Sequence, residues 1–173
     1  KTIEMHRLTV DEFKAASKLP LVVVLDNVRS LHNVGSVLRS CDAFRVEAVY
    51  LCGITATPPS AEIHKTALGA EDSVTWKYFA ETTDAVDELH AHATKVLAVE
   101  QVAGSTMLQN METNEGQRYA VVLGNEVKGV QQAVVDCCDG CLEIPQFGTK
   151  HSLNVSVAAG IVVWEFAKKI GNK

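Results

Sequence analysis

Short apolar runs rich in β-branched residues alternate along the whole chain with segments whose apolar positions recur at helical spacing. Residues 21–25 (LVVVL), 47–51 (EAVYL), 96–99 (VLAV), 119–123 (YAVVL) and 141–144 (CLEI) are short, nearly continuous apolar stretches, the pattern of strands covered on both faces. The stretch 73–79 (SVTWKYF) is aromatic and β-branched and predicts a sixth strand. Between them the spacing predicts helices over about 9–18, 34–43, 61–67, 82–93, 130–138 and 153–169. Strands alternating with helices predict an α/β fold with a mostly parallel sheet and helices on both faces. Thr9 followed by Glu12 has the form of a capping box, and Lys168 and Lys169 before Gly171 suit a helix C-terminus, where cations meet the negative end of the dipole. Two longer connections remain, 53–60 (GITATPPS) and 100–118, the second too polar to be core. No Pro/Gly/Ser-rich linker divides the 173 residues, so one domain over 1–173 is expected, with a short N-terminal extension at 1–19.

Composition narrows the class. Hydrophobic residues make up 47% and charged residues 21%, which excludes disordered and fibrous chains. The longest apolar runs fall far short of the ~18 residues that span a bilayer, and no signal-peptide pattern opens the chain, so a soluble cytoplasmic protein is expected. Five cysteines, three of them at Cys137, Cys138 and Cys141, suit a reducing compartment better than a disulfide framework. The cluster supplies at most half of a tetrahedral zinc site and has no matching pair at finger-like spacing, so the thiols are expected to be buried and structural, with no metal. The net charge of −5 excludes a chain-wide basic field, and any site for a polyanion must be local.

The polar clusters that follow three of the strands carry the chemistry. Strand 21–25 runs into DNVRSLHNVGSVLRSCDAF (26–44), strand 119–123 into GNEVKG (124–129), and strand 141–144 into PQFGTKHSLNVSVAAG (145–160). In an open α/β sheet, ligands bind at the carboxyl ends of the strands, so parallel neighbours would line one cleft. A Rossmann glycine fingerprint and a phosphate loop are both absent from the sequence. Asn33 is expected to cap a helix whose apolar stripe is Val34, Val37, Leu38, Cys41 and Phe44, and Gly35 to permit a close approach at that helix start. A solvated or ion-paired role would account for Arg39, and an ordinary surface turn for 124–129. Ser152 reads as the cap of the last helix, which is apolar on almost every face. Asn154 then stands as a buried amide without an evident partner, and a polar ligand at the helix start would supply one.

The ordered set N-x-G-S-x-x-R (33–39), L-G-N-E-x-x-G (123–129) and I-P-x-x-G-x-x-x-S-L-N-V-S-V-A (144–158) resembles the three motifs of the SpoU (TrmH-like) RNA 2′-O-ribose methyltransferases of the SPOUT superfamily. The resemblance spans about residues 20–168. It implies a deep trefoil knot in the C-terminal part, with a knot and cofactor region at about 96–168. It also implies S-adenosylmethionine bound in the knot and a homodimer whose interface completes the site. Carried over by position, backbone groups around Leu123, Gly124, Ile144, Ser152 and Leu153 would hold the cofactor, with Glu100 as a further candidate. Arg39, Asn33, Glu126, Ser152 and Asn154 match the family's functional polar positions.

The reaction so implied is transfer of a sulfonium methyl group to a ribose 2′-hydroxyl. A guanidinium keeps its proton far above neutral pH and is ill suited as a base, so Arg39 is expected to stabilise the developing alkoxide. Asn33 would orient Arg39 or the ribose, and Glu126 would position its loop or pair with Arg39 across the dimer. The expected partner is RNA rather than DNA or membrane, with tRNA, at a guanosine, ahead of rRNA. A SPOUT methyltransferase acting on a ring nitrogen, and a noncatalytic RNA-binding or ribosome-assembly module, are the alternatives. Arg29, His32, Arg45, Lys65, Lys128, Lys150 and His151 could form a local basic rim or be scattered solubilising charge.

Overall fold

The computed structural model describes residues 7–171. Helix α1 (Val10–Ala15) opens with the capping box expected from the sequence: the Thr9 hydroxyl accepts from the Glu12 N–H, and the Glu12 carboxylate accepts from the Thr9 N–H, both at 3.1 Å. Strands β1 (Leu19–Asp26), β2 (Val46–Cys52), β3 (Trp76–Phe79), β4 (Thr94–Val99), β5 (Thr106–Met107), β6 (Arg118–Leu123) and β7 (Gly140–Glu143) form one sheet in the order β3-β2-β1-β6-β4-β7-β5. Every neighbouring pair is parallel, so the expectation of a mostly parallel sheet is met throughout. The helices are α2 (Leu31–Ala43), α3 (Ala61–Ala67), α4 (Ala70–Ser73), α5 (Thr82–Ala91), α6 (Gln132–Cys137) and α7 (Val155–Ile170). None is long and apolar enough to cross a membrane among the described residues.

The two-residue period of the strands sorts the core into two layers. Leu21, Val23 and Leu25 of β1, with Tyr119, Val121 and Leu123 of β6, face α2, α3 and α7. Val22 and Val24, with Ala120 and Val122, face the other way, onto Ala85, Val86 and Leu89 of α5 and Val134 of α6. Register keeps the layers aligned, Leu21 lying opposite Tyr119 and Leu25 opposite Leu123. Buried on both faces, these strands have no polar side to show, hence their nearly continuous apolar sequence. Gly35 makes the expected close approach, and its neighbour is α3: a Cβ there would lie 2.0 Å from Thr66 Oγ1 and 2.3 Å from the Ile63 carbonyl oxygen.

Several expectations are corrected. Strand β3 begins at Trp76, because Ser73 belongs to α4, a short helix with little periodicity for a sequence to display. Segment 100–118 is not excluded from the core. It holds β5 on the sheet edge and a 3-10 turn at Leu108–Asn110, and it buries Leu108 and Met111, part of a short Met-Leu-x-x-Met stretch that the polar residues on either side mask in the sequence. Helix α2 starts at Leu31 with Ser30 as its cap, so Asn33 lies inside the first turn. Helix α7 starts two residues later than expected: Asn154 is the cap, its Oδ1 accepting from the N–H groups of Ser156 and Val157 at 2.9 and 3.3 Å. Ser152 is therefore not a cap, and Asn154 is exposed rather than buried. The cysteine cluster is only partly buried, with Cys137 exposed.

Candidate functional site

Two of the three polar clusters expected to share a cleft, those after β6 and β7, do so; the cluster after β1 does not line it, and the end of β4 takes its place. Past the carboxyl ends of β4, β6 and β7 lies a cleft of about 370 Å³, within the range of about 300–1,000 Å³ common for small-molecule sites. Its walls come from the ends of these strands, the 124–129 turn, the loop between β7 and α7, and the first turn of α7. Glu100, Leu123, Gly124, Ile144, Ser152 and Leu153, the six positions expected around a cofactor, all line it. The apolar part of the wall includes Leu123, Leu142, Ile144 and Leu153; the polar part includes the 124–129 turn, Glu100 and Gln101.

The 124–129 turn is built for close approach. Asn125 and Gly129 exchange backbone hydrogen bonds of 3.0 and 2.9 Å, and Asn125 Oδ1 accepts from the N–H groups of Val127 and Lys128. Gly129 has φ +71°, and a Cβ on Gly124 would lie 2.1 Å from the Gly129 carbonyl carbon, so both glycines are required by the turn. Two carboxylates then clamp the chain leaving it. Glu100 Oε1 accepts from the Val130 N–H at 2.5 Å. Asp26, fully buried at the end of β1, accepts from the Gln131 N–H at 2.8 Å, from Gln131 Nε2 at 2.7 Å and from the Thr82 hydroxyl at 2.6 Å. Asp26 was not among the expected residues. An acid closing an otherwise apolar strand is the sign that marks it, because a buried charge must find partners.

A chain of side-chain hydrogen bonds links the three motifs. Asn154 Nδ2 donates to Asn33 Oδ1 at 3.3 Å, and Asn33 Nδ2 donates to Glu126 Oε1 at 3.1 Å. Glu126 also accepts from the N–H groups of Ser30 and Arg29, both at 3.0 Å, and so holds the entry to α2. Partial burial pushes the Glu126 carboxyl up, but the Ser30 and Arg29 N–H groups and the Asn33 amide outweigh it and leave it below its ordinary value. Both oxygens are thus engaged within the chain, in keeping with the expected role of positioning the loop.

Arg39 is not brought to this cluster. It is exposed on α2, does not line the cleft, and has no hydrogen-bond or ion-pair partner among the described residues. The expected basic rim is also incomplete. Lys128 and His151 line the cleft, but His32 and Lys65 face Glu62 at 3.3 and 2.8 Å, and Arg45 lies at the opposite, amino end of the sheet, just before β2. Among the described residues no group of His, Cys, Asp and Glu is arranged to hold a metal ion.

Comparison with known proteins points to one family. The model of the SpoU rRNA Methylase family matches residues 20–164. The chain is 30% identical over 166 residues to the 23S rRNA (guanosine-2′-O-)-methyltransferase RlmB of Vibrio cholerae, covering 96% of this chain and 66% of that one. The protein of the same name from Shewanella oneidensis is 32% identical over 169 residues, covering 98% and 67%. The chain thus spans about two thirds of the length of these curated relatives. Among solved structures, the AdoMet-bound rRNA methyltransferase from Sinorhizobium meliloti superposes with a TM-score of 0.79 at 27% identity, over 88% of this chain and 60% of that one.

Proposed function

The chain belongs to the SpoU rRNA methylase family, and from that premise we propose that it transfers a methyl group from S-adenosylmethionine to a ribose 2′-hydroxyl of RNA. The observation that carries the reading is the Asn154–Asn33–Glu126 chain, which joins the three motif segments beside one cleft. The cleft's chemistry suits an adenosyl ligand. Leu123, Ile144 and Leu153 offer apolar surface to a base, and the 124–129 turn offers backbone groups and close approach. Bound there, the cofactor would supply an electrophilic methyl group on a sulfonium. Asp26 and Glu100 fix the chain leaving the turn, Glu100 from within the wall itself, so the wall needs no reorganisation when a ligand enters.

Arg39 acts in this reading as the cation that stabilises the alkoxide forming at the 2′-oxygen, the proton leaving to phosphate or water. Because Arg39 lies outside the cleft of its own chain, it would serve the site of a second copy. Val157, Ile161 and Trp164, on one exposed stripe of α7, are 51%, 38% and 52% exposed and are the apolar surface such a homodimer would cover. The knotted C-terminal course is part of the same proposal. Its support is that the chain leaves β7, between β4 and β5, and returns to pack α7 against α2 and β1. For the target, the two relatives are named for a guanosine of 23S rRNA, and we place an rRNA guanosine first. The tRNA guanosine expected from the motif wording stands second.

The test is incubation of purified protein and labelled S-adenosylmethionine with unmodified rRNA fragments and tRNA transcripts, followed by mass analysis of the nucleosides. 2′-O-methylguanosine from rRNA is the expected product. Label on a base, or in neither RNA, overturns the function, and label in tRNA alone overturns the target. Sedimentation at micromolar concentration should give a dimer.

A further inference from the structure

Phe147 is the most exposed large apolar side chain among the described residues, at 94%. It stands in the β7–α7 loop between Gln146 and His151, both of which line the cleft, so the loop leaves the wall, presents the ring to solvent and returns. A Cβ on the adjacent Gly148 would meet nothing within 4 Å, so the loop packs against no other part of the chain at that position. On the other lip Val127 is 86% exposed. A lysine accompanies each, Lys128 beside Val127 and Lys150 three residues after Phe147, and neither ammonium has an ion-pair partner among the described residues. On a chain of net charge −5, this mouth pairs free cations with bare apolar surface.

An unpaired nucleobase with its flanking phosphates fits that combination. Every base has a π-face that an aromatic ring can cover, and lysines meet phosphates without regard to sequence. A ribose can enter the cleft only from a strand unstacked at that point, and unstacked bases of RNA are held by aromatic side chains. We propose that Phe147 is a stacking platform for an unpaired base of the RNA next to the nucleotide whose ribose enters the cleft, with Lys128 and Lys150 on the adjoining phosphates. The proposal rests on the reading of the cleft as an RNA methylation site and names the contact that presents the strand to it.

Phe147→Ala and Phe147→Trp in the full chain test it, with an RNA stem–loop carrying an unpaired loop guanosine as probe. Phe147→Ala should weaken stem–loop binding about ten-fold and raise the KM for RNA with little change in kcat. Affinity for S-adenosylmethionine and sedimentation should be unchanged. Phe147→Trp should restore binding, and its added emission should be quenched by the stem–loop but not by a duplex of equal length or by S-adenosylmethionine alone. Wild-type stem–loop affinity in Phe147→Ala overturns the proposal, as does an equal loss of cofactor affinity or a loss of dimer. The quench needs no turnover, so the two readings separate. Quenching without methyl transfer supports the platform and overturns the methyltransferase, whereas methyl transfer without quenching overturns the platform alone.

Discussion

The two halves of the site are built in opposite ways. On one side Asn33, Glu126, Glu100 and Asp26 are buried or partly buried and spend their hydrogen bonds on one another and on the backbone of the motif loops. On the other side Arg39, Ser152, Leu153 and Phe147 are exposed, and neither Arg39 nor Ser152 has a hydrogen-bond partner among the described residues. The first half is finished within one chain, and its polar groups hold a shape. The second half is held by little within the chain, and its chemistry is available to whatever docks there. Substitutions in the finished half should therefore register in stability, and those in the open half in binding or turnover.

Arg39→Ala is the sharpest test of that division, because it should have the largest effect on turnover and almost none on folding. Loss of a preorganised charge at a developing anion costs about 10²- to 10³-fold in rate, whereas removal of an exposed side chain without partners should shift unfolding free energy by no more than about 0.5 kcal/mol. Arg39→Lys should also be poor, since a point charge does not reproduce the guanidinium fork. Single-turnover methyl transfer, denaturant melts and calorimetric cofactor binding read the three quantities. Near-normal turnover in either variant removes Arg39 from the mechanism, and a large loss of stability would move it into the finished half.

Glu126→Gln probes the finished half and comes second in size. Three N–H donors converge on the carboxylate, from Arg29, Ser30 and Asn33, and an amide must turn its own NH₂ toward at least one of them. The cost at pH 7 should be about 2 kcal/mol. It should also carry a pH signature. The carboxyl lies below its ordinary value of 4.5 in the folded protein, so its stabilisation is complete above that value and is lost as pH falls through the folded pKa. The gap between wild type and variant in denaturant melts should therefore be widest near neutrality and close as pH falls below 4.5 and through the lowered folded pKa. A gap independent of pH would mean that the carboxylate's charge is not what holds the entry to α2.

The sequence displayed one half of this site better than the other. Strand and helix order was legible because two-sided burial writes long apolar runs, and the carboxyl ends of those runs carry the motif loops. All six positions expected around the cofactor do line the cleft. Helix starts were less legible. Ser30 and Asn33, like Ser152 and Asn154, are residue types that can all cap, and only the backbone course decides which one does. The partners of Asp26 and Glu126 were illegible for another reason: Gln131 lies 105 residues from Asp26 and Arg29 lies 97 from Glu126, separations that local pattern does not reach. Leu108 and Met111 escaped because the apolar stretch they share with Met107 is too short, within a polar segment, to establish a period.

Asn154 spans both halves, so two substitutions should split it. Asn154→Ala removes the cap on the Ser156 and Val157 N–H groups and should cost about 1 kcal/mol of stability together with turnover. Asn154→Asp keeps the capping oxygen and places a negative charge at the positive end of α7, but it has no Nδ2 to donate to Asn33. It should melt like wild type and still turn over slowly. Equal turnover in Asn154→Asp and wild type would show that the link to Asn33 is dispensable and that Asn154 matters only as a cap.

Ser152→Ala should have the smallest effect of all, and its size bears on where α7 begins. The hydroxyl is exposed, makes no hydrogen bond among the described residues and stands two positions before the true cap. Nothing in the helix depends on it, so unfolding free energy should stay within about 0.5 kcal/mol of wild type. Its one available role is in the wall of the cleft, where a single neutral hydrogen bond to a ligand contributes about 1 kcal/mol. That corresponds to a loss of cofactor affinity of about five-fold, measurable by calorimetry. A stability loss near 1 kcal/mol with unchanged cofactor affinity would return the cap to Ser152 and start α7 two residues earlier. It would also free Asn154 from the helix end and move the boundary between the finished and the open half.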